Sequence, residues 1–203
     1  MLRSLLDNPH AEEVCEVRGR FGLMAIHGGN LERTTDVIAD EVAERCGASL
    51  YAVIQHAPLR EHVPSIRFDP AESAVLARFL ANVDIVIAVH GYGRDEQFWD
   101  LLLGGRNRDL ANHLAAPLRT ALADEFGVVT DIEAMPAPLR GQHRDNPVNL
   151  PRDTGVQIEL PPSVRWNRHE KNWSDHDGTG RAPQVTALID ALVIGVSTWT
   201  NST

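Results

Sequence analysis

The stretch VDIVIAVHG, residues 83–91, decides the fold class. From Val83 to Val89 it carries one acid, Asp84, and is otherwise apolar and mostly β-branched. That is the composition of a strand covered on both faces, as in a parallel sheet. It ends in His90-Gly91. A second apolar run, FGLMAI at 21–26, ends in the same way, in His27-Gly28-Gly29. Between the two runs, residues 35–46 place Val37, Ile38, Val42 and Cys46 at helical spacing, and Gly47 follows as a stop. Residues 50–54 read as a further strand. Strands alternating with helices predict one three-layer α/β domain over residues 1–203, with a parallel or mixed sheet.

Outward from this centre the pattern extends to both ends. Residues 3–18 read as a short helix, so Cys15 and Cys46 both fall in helices. They read as buried free thiols, with their pairing left open. Asp69-Pro70-Ala71-Glu72 reads as a helix start, the helix running to about Ala81. Residues 107–126 read as a long helix interrupted or kinked at Pro117, and 128–132 as a strand. Residues 133–154 show no period, and an aperiodic loop of that length points to function. In GVQIEL, 155–160, alternation puts Val156, Ile158 and Leu160 on one face and Gln157 and Glu159 on the other. Residues 167–180 read as a polar, mobile connector, and 183–196 as a terminal helix.

The chain has 203 residues and a formal net charge of −9. That balance argues against nucleic acid as a partner, because phosphate binding needs a basic face. No apolar run reaches the length of a membrane span, and the N-terminal stretch lacks a signal-peptide core. The expectation is a cytoplasmic protein with neither a nucleic-acid nor a membrane partner.

Ligands of open α/β sheets bind just beyond the carboxyl ends of strands. His27 and His90 both stand there and could converge on one metal ion. Glu32, five residues after His27, offers a carboxylate from the same turn. Two histidines, one carboxylate and an open position make a common catalytic zinc set. A lone histidine would more often be structural; two at matching strand ends favour zinc. Glu159 reads equally well as a general base toward the attacking water or as a solvated carboxylate on an edge strand. Arg33, Arg106, Arg108, Arg140, Arg144, Arg152 and Arg165 fall where loops would meet. As a group they suggest an anionic substrate, although each taken singly reads as a surface residue. Asn146 and Asn149 either orient a substrate or make turns. His10, His56, His62, His113, His143, His169 and His176 follow no strand end and read as structural or surface residues.

Seven segments in order, AIHGGNLERTTDVIADEVA, ASLYAV, SIRFDP, VDIVIAVHGYGRDE, LLLGGRNRDL, DNPVN and GVQIELPPSVR, resemble the poly-γ-glutamate hydrolase family over roughly residues 17–166. The resemblance implies a fold similar to zinc carboxypeptidases, one catalytic zinc and hydrolysis of an amide bond. It implies His27, Glu32 and His90 as zinc ligands and Glu159 as general base. Arg106, Asn149 and Arg152 fall in its motif segments as substrate-binding candidates. The expected partner is a small or polymeric anionic glutamyl substrate. Two alternatives stand beside this reading: hydrolysis of another ester or N-acyl amino acid at the same zinc site, and a non-catalytic zinc- or ligand-binding protein.

Overall fold

Local pairing of apolar runs builds one sheet of seven strands. In chain order these are β1 (Ala11–Glu16), β2 (Phe21–Gly29), β3 (Ser49–Gln55), β4 (Ile85–Gly91), β5 (Asp100–Leu103), β6 (Gly127–Val129) and β7 (Gly155–Leu160). A computed structural model describes residues 1–122 and 125–200. Across the sheet the order is β1-β3-β2-β4-β7-β5-β6. The central run β3-β2-β4-β7 is parallel throughout. β1 joins antiparallel to β3, and β5 joins antiparallel to β7, so the sheet is mixed.

Helices α1 (Leu2–Leu6), α2 (Thr35–Cys46), α3 (Ala74–Asn82), α4 (Arg108–Leu122), α5 (Pro162–Arg165) and α6 (Pro183–Thr198) flank it. One face of the sheet packs Leu23, Ile87 and Ile158 against α2, α4 and α6, through residues such as Ile38, Leu114 and Leu188. The other face packs Met24, Tyr51 and Val86 against α1 and α3, through Leu5, Leu76 and Phe79. The result is the three-layer α/β arrangement expected from strand–helix alternation.

Four local expectations are corrected. The segment 3–18 is helical only over Leu2–Leu6, and Cys15 lies in strand β1. β1 pairs along its whole length with β3, and that tertiary pairing overrides the helical pattern. Both cysteines are free. Helix α3 starts at Ala74 behind Ser73, whose Oγ accepts from Leu76 N–H. Asp69 instead closes a turn onto Ala71, and Glu72 holds the N-terminal amine and the Arg3 amide. The helix expected over 107–126 is seen as Arg108–Leu122 and contains Pro117 without ending there, while 123–124 lie outside the described residues. The connector expected over 167–180 folds as a hairpin, β8 (Trp166–Asn167) against β9 (Asn172–Trp173). Its polar side chains bond backbone: Asn167 caps the amides of His169 and Glu170, and Ser174, wholly buried, accepts from Ala182 N–H. Hydropathy patterning does not register order of that kind.

One irregularity positions the site. Along the β2–β3 pairing the register advances from Ala25 to Gly28 on β2 but only from Ala52 to Ile54 on β3. The extra residue is a bulge, which turns the following side chain onto the other face. His27 therefore joins the face of Met24 and Ile26, where its ring meets Phe68. His90 follows Val86 and Ala88 onto that face by plain alternation.

Ile87, wholly buried in central strand β4, tests the core. Ile87→Ala is expected to lower stability by about 2–5 kcal/mol, read as a fall in the urea midpoint at unchanged m-value.

Candidate functional site

Three adjacent parallel strands, β2, β4 and β7, end at one level, and each delivers an ionisable side chain there. His27 comes from β2, His90 from β4 and Glu159 from β7. His90 and Glu159 are register partners. All three are buried. The tight turn after β2 returns Glu32, with its amide donating to the His27 carbonyl.

Glu32 is the hub. Its Oε1 lies 2.9 Å from His27 Nδ1 and its Oε2 lies 3.4 Å from His90 Nδ1. Oε2 also accepts from the Gly91 amide at 2.8 Å. The two imidazole rings stand edge to face with centroids 5.1 Å apart. Burial works against this carboxylate, but His27 and His90 outweigh it and hold Glu32 well below the usual carboxylate range. For His90 burial opposes the charged ring, and the Glu32 contact, with help from Glu159, raises its pKa.

The donor set suits a cation. His27 Nε2 lies 2.8 Å from the Val63 carbonyl. A carbonyl only accepts, so Nε2 donates to it, and Nδ1 is the ring atom turned to Glu32. Two electron-rich atoms at that spacing need a positive charge between them, a proton or a metal. A ring nitrogen anchored to a backbone carbonyl is also the usual support of a metal-ligating histidine. His90 Nε2 is buried without a hydrogen-bond partner among the described residues, an orphan of the kind a bound group satisfies. The residues present fit a divalent cation held by two imidazoles and one carboxylate.

His62, read from sequence as structural, sits beside this set. Its ring lies 4.8 Å from that of His27, and ligand atoms of His27, Glu32 and His62 all approach within 4.8 Å of one another. It arrives on the irregular segment after β3, where no spacing to a strand end marks it. Burial and the neighbouring His27 hold its pKa below the ordinary histidine value.

Glu159 faces the same cleft, of about 830 Å³, with His27, Glu32, His62 and His90 in its wall. Burial, only partly offset by His90 and reinforced by Glu32, pushes its carboxyl up to about 7. Gln157 donates to Glu159 Oε1 at 2.7 Å, and Asn146 donates to Gln157 Oε1 at 2.7 Å. One carboxylate of the cleft is thus driven down and the other up.

None of the three substrate-binding candidates lines the cleft. Asn149 accepts from the Arg106 amide and donates to the carbonyls of Gly141 and His143, so it fastens the loop that forms one cleft wall. The Arg106 side chain is exposed and outside the cleft lining. Arg152 pairs with Asp84 and Asp153, at the amino ends of β4 and β7 and so opposite the cleft.

Arg165 is the piece that its exposed-arginine reading missed. Its side chain is buried and donates to three carbonyls: Leu160 through Nε, Arg33 through Nη1 and Tyr92 through Nη2. Those carbonyls lie one or two residues from Glu159, Glu32 and His90. A Cβ at Gly91 would come within 2.6 Å of the Arg165 guanidinium carbon, so glycine is required for this approach. The turn carrying Glu32 also holds Thr34 at φ 77, a strained conformation braced by its hydroxyl on the Ser174 carbonyl.

Comparison with known proteins gives concordant results. Residues 7–188 match the model of the poly-gamma-glutamate hydrolase family. The SPbeta prophage-derived protein YoqZ of Bacillus subtilis is 27% identical over 158 residues, which cover 77% of this chain and 54% of YoqZ. The chain spans about half the length of the curated relatives it matches. A bacteriophage poly-gamma-glutamate hydrolase structure superposes with a TM-score of 0.75 at 22% identity, over 94% of this chain and 90% of that one. Zinc-free YndL gives 0.74 at 20% identity, over 97% and 94%. These likenesses show a shared fold.

Removing the Arg165 guanidinium strands three carbonyls and takes away a buried positive charge that interacts with Glu32 and Glu159. Arg165→Met is expected to cost about 3–5 kcal/mol in urea unfolding, and Arg165→Lys to recover only part of that loss.

Proposed function

Since the chain belongs to the poly-gamma-glutamate hydrolase family, we propose that it is a zinc-dependent amidohydrolase that cuts γ-glutamyl or similar carboxylate-bearing amide bonds. The observation that carries this reading is the convergence of His27, Glu32, His90 and Glu159 in one cleft at the carboxyl ends of three parallel strands. His27, Glu32 and His90 would hold the metal, Glu32 facing both rings, and His62, whose ligand atom meets those of His27 and Glu32 within 4.8 Å, would stand beside them as a further donor. The zinc-free form described for YndL supports zinc as that metal. Bound zinc supplies Lewis acidity toward the scissile carbonyl and the attacking water.

The protein's own groups handle the proton. Glu159 accepts it from the water as the oxygen attacks the amide carbon, and passes it to the nitrogen as the carbon–nitrogen bond breaks. A carboxyl pushed up to about 7 is matched to that exchange near neutral pH. Gln157 fixes Oε1 of Glu159 and leaves Oε2 for the proton. The Gly91 amide and the two histidine rings orient Glu32. Glu159 also separates catalysis from mere metal binding, since a binding protein has no use for a raised carboxylate beside the ligands.

The test is metal analysis combined with hydrolysis of γ-linked and α-linked glutamyl peptides. Zinc at one equivalent and cleavage of the γ-linked set, abolished by chelation and restored by zinc, are the expected results. Glu159→Gln should keep its zinc and fold while kcat falls roughly 10²–10⁴-fold. His90→Ala should lose zinc affinity and turnover together. Near-normal kcat in Glu159→Gln would overturn the mechanism. Full zinc affinity in His90→Ala together with its loss in His62→Ala would move the ligand set to His27, Glu32 and His62.

A further inference from the structure

A second, smaller cavity of about 230 Å³ opens beside the cleft and shares Glu32 and Gly91 with it as a common wall. Its remaining wall includes Arg33, Arg60, Arg165 and Trp173. We propose that this cavity is a carboxylate subsite, in which Arg33 and Arg60 clamp a carboxylate of the substrate next to the bond that is cut, over a fixed positive floor made by Arg165. The inference rests on the amidohydrolase reading for what the subsite serves, but not for whether it binds a carboxylate.

Charge accounting favours an anionic occupant. None of the three guanidiniums has an acidic partner among the described residues, in a chain whose acids outnumber its bases. Arg165 donates only to backbone carbonyls. Arg33 donates through Nε to His176 Nε2 at 2.9 Å and through Nη2 to Asn30 Oδ1 at 2.8 Å, neither of them an acid; the carboxylate of Asp177 lies behind His176, 3.4 Å from its Nε2. Arg60 is exposed and makes no hydrogen bond or ion pair among the described residues. The acid in the wall, Glu32, already has its oxygens directed to His27, His90 and the Gly91 amide. Three positive groups thus face one cavity whose single negative group is committed elsewhere, and a metal on Glu32 would leave the cavity more positive still.

Geometry favours a carboxylate in particular. Arg165 and Arg33 lie over the Trp173 ring, at 4.9 and 5.8 Å from its centroid. Stacking holds planar guanidiniums in place, so less freedom is lost when a fork engages two oxygens. Arg33 Nη1 has no protein partner among the described residues, and the Arg60 fork is entirely uncommitted. The volume suits one short carboxylate-bearing arm rather than a polymer segment. Because Glu32 and Gly91 separate the two cavities, a carboxylate held here lies within one residue's reach of the cleft.

Two measurements test the proposal on the zinc-loaded protein. Calorimetric titration with L-glutamate should show binding, weakened roughly 10- to 100-fold by Arg33→Ala and by Arg60→Ala. In hydrolysis, a γ-glutamyl peptide with a free α-carboxylate should be preferred over its α-carboxamide analogue by a similar factor. Arg60→Ala should erase that preference through KM, with kcat nearly kept. Undetectable glutamate binding, or binding and preference unchanged in both variants, would overturn the subsite. If no γ-glutamyl peptide is cut at all, the amidohydrolase reading fails and the titration alone decides. Weakened binding in both variants would then still support a carboxylate site, and unchanged binding would sink it.

Discussion

One mostly covered carboxylate, Glu32, sits between two imidazoles, and the ends of the central strands are arranged to meet it. Taking such a charge out of water costs several kcal/mol unless its oxygens are satisfied. Here His27, His90 and the Gly91 amide satisfy them. That requirement sets where β2 and β4 must stop. The two strands pair with Met24 opposite Ala88, so His90 lies two residues past its register mark and His27 three past its own. Plain alternation would send His27 to the opposite face. The one-residue bulge in β2 removes the mismatch and brings both rings to the same carboxylate.

Arg165 closes the arrangement from behind. It ties the residues next to Glu32, His90 and Glu159 through one rigid, planar fork. An ammonium could not reach three carbonyls in one plane. The same guanidinium presses on Gly91, whose amide orients Glu32, so a backbone requirement and a charge requirement meet at one residue. Within the cleft the two carboxylates then separate in role. Glu32 stays ionised among cations, and Glu159, desolvated and close to Glu32, is pushed up to about 7. Two like groups driven apart by their surroundings are the usual mark of distinct chemical tasks.

How much of this was legible in the sequence follows from the range of each interaction. The central strands, helix α2 and the face that Glu159 shares with Gln157 rest on local periodicity, but that this face is covered does not: β7 lies inside the sheet, between β4 and β5, and not at an edge. His27, Glu32 and His90 were marked by strand ends and by spacing. His62 was not, because it reaches His27 from an irregular segment whose course depends on tertiary packing. Arg165 was one of seven arginines with equal claims, and nothing local distinguishes the buried one. Strand β5 was invisible because DLLL is too short to show alternation and takes its direction from pairing with β7. In β1, edge pairing with β3 won over a helical pattern.

The polar segment after Arg165 shows why order does not require apolar residues. It bonds its own backbone, and then it bonds the site. Ser174 donates its amide to the Arg165 carbonyl and accepts the Thr34 hydroxyl with its own. His176 receives Arg33. Thr34 holds a backbone conformation that a β-branched residue adopts only when its surroundings enforce it. The hairpin supplies that enforcement from about 140 positions away in the chain, and the turn it secures carries both Glu32 and Arg33. Contacts to the His27–Glu32–His90 face and to the arginine-lined cavity therefore share one support. A loop anchored in this way holds its carboxylate in place before any ligand arrives, which lowers the ordering cost of binding.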